Sequence, residues 1–286
     1  MDEDGKAAGS DSPHLDRDEQ SQAAQHSGLR PLVIHEIIRE EGEDELERSV
    51  GALTLSGFAA GLSMGFSFLT EALIRADLPA SPWRHLIASF GYSVGFIIAV
   101  LGRQQLFTES TLTAVLPLLT RRDGATAVAI ARLWAIVLVM NLVGTWVFAA
   151  LLQVHGVFSD AVVGSLGVIG REAVHADFAA TFLKALFAGW LIALMVWILP
   201  SARSARLLTV MLITYVVAIG QLSHVVAGSA EAAYAVLTGT AGIGQYFGGF
   251  LAPTLLGNIV GGVALVALLN HGTVAEDINK GGERAA

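Results

Sequence analysis

Two polar interruptions inside long apolar runs restrict this chain more than any other feature. The first is Gly102-Arg103-Gln104-Gln105-Leu106-Phe107-Thr108-Glu109-Ser110-Thr111, between FGYSVGFIIAVL and LTAVLPLL. The second is Gly220-Gln221-Leu222-Ser223-His224. A lipid-facing helix does not carry Arg103, two glutamines and Glu109 at mid-depth, because charge is costly at the centre of a bilayer. Irregular backbone at that depth is tolerated only where it is buried in protein or lines a water-filled cavity. Both stretches therefore read as breaks in membrane helices, each facing a pathway. Paired breaks in matching places of two halves point to a transport site.

Six apolar segments are expected, at about 50–74, 86–119, 125–153, 178–199, 207–238 and 246–270. Each is near the roughly 20 residues that cross a bilayer, and the second and fifth carry the breaks. Only 15% of the 286 residues are charged and 53% are hydrophobic, against roughly 25% charged in soluble domains. The expected class is therefore an all-α integral membrane protein. The first segment is rich in small residues (Gly57, Gly61, Ser63, Gly65) that let helices approach closely.

The acidity is confined to one end. Residues 1–48 hold 14 acidic and 5 basic side chains, leaving 11 acidic and 12 basic elsewhere. An acidic tail argues against a nucleic-acid partner. Residues 1–30 hold almost no large apolar side chain and read as a disordered acidic tail. Residues 31–48 follow as an amphipathic cytoplasmic helix, with Val33, Ile34, Ile37 and Ile38 at helical spacing. Its acidic face disfavours anionic lipid. Residues 49–271 form the six-span domain and 272–286 a cytoplasmic tail. No apolar run stands at the N-terminus, so no signal peptide is expected. With no cysteine, disulfides and thiolate metal sites are excluded.

Orientation follows from Lys and Arg in short loops. Arg121, Arg122, Arg203 and Arg206, with Arg39, Arg48, Lys280 and Arg284 in the termini, face Arg75, Arg84 and Arg171 on the other side. Eight against three places both termini in the cytoplasm and the protein in the inner (plasma) membrane.

The two halves also echo each other. Thr108 is followed 33 residues later by Asn141 in N-L-V-G, and His224 is followed 34 residues later by Asn258 in N-I-V-G. Each Asn lies on the third span of its half. Three spans per half is odd, so the halves run in opposite directions through the membrane. That arrangement is an inverted repeat, as in channel and transporter folds.

LFTEST after the first break, NLVG, His224 in the second break and TLLGNIVGG resemble the formate/nitrite transporter family over about residues 45–270. The first half, with GFAAGLSMGFSF, looks like a divergent branch with a long N-terminal extension. The resemblance implies a six-span, aquaporin-like protomer with its own pore, assembled as a homopentamer. It also implies passage of small monovalent anions such as formate, nitrite and hydrosulfide, or their conjugate acids, with no cofactor. Leu106 and Phe107 would form the inner constriction, Thr108 would face the central His224, and Tyr92 and Phe96 would contribute to the outer constriction. Asn141 and Asn258 would hold the loops of the breaks. The sequence departs from the family pattern at Ser223 (often Glu), near Ala188-Gly189 (usually a polar Asn) and near Ala173 (a vestibule lysine).

An anion entering a dry constriction faces a large solvation penalty. A central imidazole, whose unperturbed pKa is about 6.5, can donate a hydrogen bond or a proton there. The plainer reading is that His224 only bonds loop backbone. Arg103 either attracts anions to the inner mouth or pairs with Glu109 or Glu231 to lock the break, pairing being favoured because a lone buried charge is costly. Lys184 on the fourth span either concentrates anions or snorkels to the interface. Gly61-Leu62-Ser63-Met64-Gly65 fits G-x-S-x-G but lacks the strand-to-helix turn that a serine hydrolase needs. H-E-x-x-H, P-loop and dinucleotide fingerprints do not occur, and no metal or enzymatic site is expected. Two further readings stand beside the anion pathway. One is a water or neutral-solute channel, although the two N-P-A repeats of an aquaporin are missing. The other is a non-conducting scaffold or sensor whose acidic extension docks a partner.

Overall fold

The computed structural model describes residues 12–26, 28–174 and 177–285. Residues 1–11, part of the tail expected to be disordered, lie outside the described set.

Every regular element among the described residues is helical. The short α1 (Arg17–His26) lies within the stretch expected as an acidic tail. Asp16 and Glu19 form a reciprocal cap, with Asp16 N–H on Glu19 Oε2 at 2.9 Å and Glu19 N–H on Asp16 Oδ1 at 2.8 Å. This capping box satisfies two orphan donors and starts a helix that carries almost no apolar surface.

The amphipathic α2 (Pro31–Glu47) packs against the bundle. Its buried stripe is Ile34, His35, Ile38, Gly42 and Leu46, while Val33 is exposed. Several bonds fasten it, Arg121–Glu43 and Thr113–Glu45 among them. His35 Nε2 and His271 Nδ1 share a hydrogen bond at 3.0 Å. Arg132 Nη2 donates to the carbonyls of Leu46 (2.6 Å) and Arg48 (3.3 Å), closing the helix C-terminus.

Five helical stretches are long and apolar enough to cross a membrane: Val50–Asp77, Arg84–Leu101, Gly124–Leu151, Phe178–Ile198 and Gln245–Ala275. Arg206–Ile219 is apolar but shorter. In chain order they begin with α3 (Val50–Asp77) and α4 (Arg84–Leu101, which tightens to a 3-10 turn at Ser89–Tyr92). The chain resumes as helix in α5 (Phe107–Thr113) and α6 (Val115–Arg121), then α7 (Gly124–Leu151). The second half holds α8 (Asp160–Ala173), α9 (Phe178–Ile198), α10 (Arg206–Ile219) and α11 (Ala227–Leu237). It ends with α12 (Ala252–Gly262), set between π-helical segments Gln245–Leu251 and Val263–Ala267, and α13 (Leu268–Ala285). The stretch 272–285, expected as a tail, thus continues the last span as helix.

The bundle is built on two close helix pairs, α3 with α7 and α9 with α12. A Cβ on Gly61 would meet the backbone of Asn141, and one on Gly189 the backbone of Asn258. Backbones therefore touch directly, as small residues permit where no hydrophobic effect drives association. That contact brings Asn141 and Asn258 up to the segments where the helices stop.

Candidate functional site

The two interruptions end their helices in the same way. After Leu101, Gly102 remains near helical geometry and Arg103 turns left-handed (φ 52°). After Ile219, Gly220 does the same and Gln221 turns left-handed (φ 47°). Gln104 N–H then reaches back to Ala99 O at 2.9 Å, and Leu222 N–H to Val217 O at 3.0 Å. These are Schellman closures, made here with a side-chain-bearing residue where glycine is usual. Such a residue in that conformation costs of order 1–3 kcal/mol and persists only where surroundings enforce it.

The enforcement comes from two buried amides. Asn141 Oδ1 accepts from Phe107 N–H at 2.9 Å, while its Nδ2 donates to Gly57 O (2.8 Å) and Gln105 O (3.0 Å). Asn258 Oδ1 accepts from Val225 N–H at 2.9 Å, while its Nδ2 donates to Ala185 O (2.8 Å) and Ser223 O (3.0 Å). Each amide thus ties one interruption to a neighbouring helix. The matched bonds set Phe107 beside Val225, so the partner of His224 in this scheme is Leu106. Thr108 corresponds to Val226. The spacing comparison aligned Thr108 with His224, two residues out of this register.

Thr108 and His224 nevertheless meet. Thr108 Oγ1 lies 2.7 Å from His224 Nε2, with both residues 1% exposed. Ala227 N–H donates to His224 Nδ1 at 3.1 Å, so that nitrogen keeps its lone pair. In the neutral ring the proton therefore sits on Nε2 and is donated to Thr108 Oγ1. The threonine hydroxyl hydrogen is then free to point at a third group. His224 makes no bond to Ser63, the serine of the G-x-S-x-G match. Phe96 meets the imidazole edge-on at 4.9 Å between centroids, and Tyr92 leans on Phe96 at 5.4 Å. Leu106, Phe107, Tyr92 and Phe96 are all buried.

A cavity of about 650 Å³ ends on His224 and Tyr92. Its walls carry Glu71, His85, Arg171, Glu172, Lys184 and Glu231. Ala173, Ser223 and Gln221 also face it. A second cavity of about 280 Å³ lies on the side of α2 and is lined by Glu41, Glu45, Arg48, Arg103, Gln104, Gln105, Glu109 and Arg206 among others. Gln105 lines the second cavity and His224 the first, and Leu106 and Phe107 stand in the chain between Gln105 and Thr108, the hydrogen-bond partner of His224.

Arg103 does not reach Glu109 or Glu231. Its side chain is 67% exposed and pairs with Glu41 of α2 at 2.9 Å. The left-handed turn leaves it on the rim, facing α2, while Glu231 stands in the other cavity. Glu109 Oε1, Gln104 Oε1 and Arg206 Nε are buried without a hydrogen-bond partner among the described residues, and all three residues line the α2-side cavity. The site residues missed in the sequence are Glu71, Glu172 and Glu45. Glu71 carried a signal, being an acid inside an apolar run.

Glu45 sits at the mouth of that cavity on α2, where Thr113 donates to its Oε2 at 2.6 Å. Burial pushes its carboxyl up to about 7, against hydrogen bonds from Thr113 and Gln105 that pull it down. A raised carboxyl stabilises the fold fully below its unfolded value near 4.5 and ceases to do so as pH rises through about 7. Melting temperature in detergent should therefore fall by about 3 °C or more between pH 5 and pH 8. Glu45→Gln should flatten that slope. A slope unchanged in the variant would refute the assignment.

These features define a multi-pass helical membrane protein with two cavities and a buried Thr108–His224 pair, of which His224 lines the larger cavity. The chain belongs to the formate/nitrite transporter family, whose sequence model matches residues 32–272. The inner membrane protein YfdC of Escherichia coli (strain K12) is 39% identical over 250 residues, covering 87% of this chain and 81% of that protein. The uncharacterized transporter YrhG of Bacillus subtilis (strain 168) is 27% identical over 253 residues, covering 84% and 91%. Among solved structures, a pentameric formate channel with formate bound superposes with a TM-score of 0.67 at 22% identity, over 77% of this chain and 95% of that one. At that identity the likeness establishes the fold.

Proposed function

We propose that the protein is a channel or secondary transporter for small monovalent anions or their conjugate acids. The pathway runs from one cavity to the other past Thr108 and His224. The observation that carries this reading is the 2.7 Å bond between those two side chains, with His224 on the wall of the larger cavity and Gln105, three residues before Thr108, on the wall of the other. Leu106 and Phe107 form the constriction on the α2 side, and Tyr92 and Phe96 the one on the other. The Thr108 hydroxyl, polarised by the imidazole N–H, donates to the permeant. The central histidine thus acts through threonine rather than by direct contact.

The architecture proposed is two inverted three-helix repeats with the second and fifth spans broken. The matched left-handed turns and the matched asparagine amides support it. The α2 side is taken as cytoplasmic, with both termini there, and the assembly as a homopentamer, in keeping with the pentameric neighbour. The acidic N-terminal segment, α2, the six-span domain and the C-terminal helix are the functional divisions.

Lys184 lines the larger cavity, and it is assigned the role of drawing anions in. Stopped-flow or electrical flux in proteoliposomes with formate, nitrite, chloride, acetate and hydrosulfide tests the whole reading. Lys184→Ala should lower anion flux about threefold in dilute buffer and hardly at all at high salt, because charge at this range is screened beyond roughly 10 Å at 0.1 M. Equal flux for variant and wild type in dilute buffer would remove Lys184 from the pathway. Wild-type vesicles that swell with water but pass none of the anions would favour the neutral-solute reading.

A further inference from the structure

The larger cavity is unusual for an anion pathway because it carries three carboxyl groups. Glu71 on α3 is 8% exposed and lines the cavity, and forms no hydrogen bond or close ion pair among the described residues. Glu231 on α11 lines the same cavity, also without a hydrogen bond among the described residues. Tyr92 lines the same cavity. The other charged or titratable groups facing them are Arg75 on α3, His85 on α4, Arg171 and Glu172 on α8, Lys184 on α9 and His224. Glu71 is nearly buried and Glu231 half-buried, and an acidic side chain held that far from water without a hydrogen-bond partner calls for an explanation.

The central pair cannot supply a proton. His224 Nδ1 already accepts from Ala227 N–H, and loss of the Nε2 proton would leave an imidazolate. Thr108 can donate a hydrogen bond but does not ionise at ordinary pH. A permeant that crosses the apolar constriction as a neutral acid must therefore collect its proton before it reaches them.

We propose that Glu71 and Glu231 are the proton-delivery groups of this cavity: an anion drawn in beside Lys184 takes a proton from one of these carboxyl groups and enters the constriction as the neutral acid. The glutamic O–H bond breaks as an O–H bond forms on the anion. The carboxylate left behind regains a proton from water at the open end of the cavity. One proton thus accompanies each anion, and no net charge moves. The supply matters because an acid with a pKa of about 4 is only roughly one part in a thousand protonated in water at pH 7. The substrate class that follows is weak monobasic acids, to the exclusion of anions of strong acids such as chloride. The inference rests on the conducting reading above.

The test uses full-length protein in proteoliposomes with trapped pH-sensitive and potential-sensitive dyes, formate as the probe and external pH from 5 to 8. Wild type should move one proton per formate without building a potential. Glu71→Gln with Glu231→Gln should pass formate about tenfold or more slowly at pH 7.5, consistent with loss of a positioned general acid. The deficit should shrink towards pH 5, where water itself supplies the acid. A purely structural role would lower flux equally at every pH. If the double variant does not assemble on size exclusion, each single variant is read for the same change of profile, and the wild-type proton-to-formate ratio still decides. Formate that carries charge without a proton, or variants with wild-type rate and profile, would overturn the pair alone. Wild-type vesicles that pass no small anion would overturn the conducting reading and the pair with it.

Discussion

Asn141→Leu should leave the protein poorly assembled, and Asn258→Leu should do the same. Leucine keeps the branched heavy-atom skeleton and removes the hydrogen-bonding amide. In each case a backbone N–H loses its acceptor: Phe107 in one half, Val225 in the other. Two carbonyls also lose a donor, those of Gly57 and Gln105 or of Ala185 and Ser223. All lie in the interior, where an unsatisfied group costs about 1–3 kcal/mol. A loss of about 3 kcal/mol or more is expected for either variant, equivalent to a fall of roughly 6 °C or more in detergent melting temperature. Both left-handed turns depend on the same anchors, so the damage should spread to pathway geometry. A melting temperature within about 2 °C of wild type would show that the interruptions hold themselves.

The second large effect concerns the central pair. Thr108→Val keeps the shape of the side chain and removes the hydroxyl, leaving His224 Nε2–H buried with nothing to donate to. His224→Phe removes the ring nitrogens that bind Thr108 and Ala227. Each should cut formate or nitrite flux by about tenfold or more in vesicles, because the hydrogen bond that Thr108, polarised by His224, gives the permeant works far more strongly in a dry constriction than in water. The two should not add: once one partner is gone, the second substitution should do little more, as for residues that act as a unit. Thr108→Ser should restore most of the flux. Undiminished flux and unchanged pH dependence in His224→Phe would end the role assigned to the pair.

Several features were legible in the chain because a bilayer is an intolerant solvent. Arg103, Gln104, Gln105 and Glu109 stand out because hydrocarbon accepts so few polar groups. Asn141 and Asn258 stand out for the same reason, and their common N-x-x-G setting marks them as a pair. The stripe of α2 could be read because packing against the bundle imposes a helical period, although the exposed Val33 shows the face was judged slightly off. Other features carried no local signal. The helix α8 buries Val162, Leu166 and Ile169 at helical spacing, yet it falls between spans and was passed over as loop. The partner of Arg103 depends on α2 folding back across the interruption, 62 residues away in sequence. Ser223, Ala188 and Ala173 were read as losses from a family pattern. The cavity built from Glu71, Glu172, Lys184 and Glu231 shows which charged groups line it here.

What the sequence determined by itself is the class: apolar runs of spanning length, polar interruptions that lipid will not accept, and family motifs placed around them. Those are matters of solvent and spacing, and each is settled within a few dozen residues. Only the tertiary structure decided the register that makes Leu106 the partner of His224 and lets Thr108 reach its imidazole. It also gathered the carboxyl groups of three helices round one cavity. Contacts between residues more than a hundred positions apart depend on how whole helices lean on one another, and no local pattern encodes that.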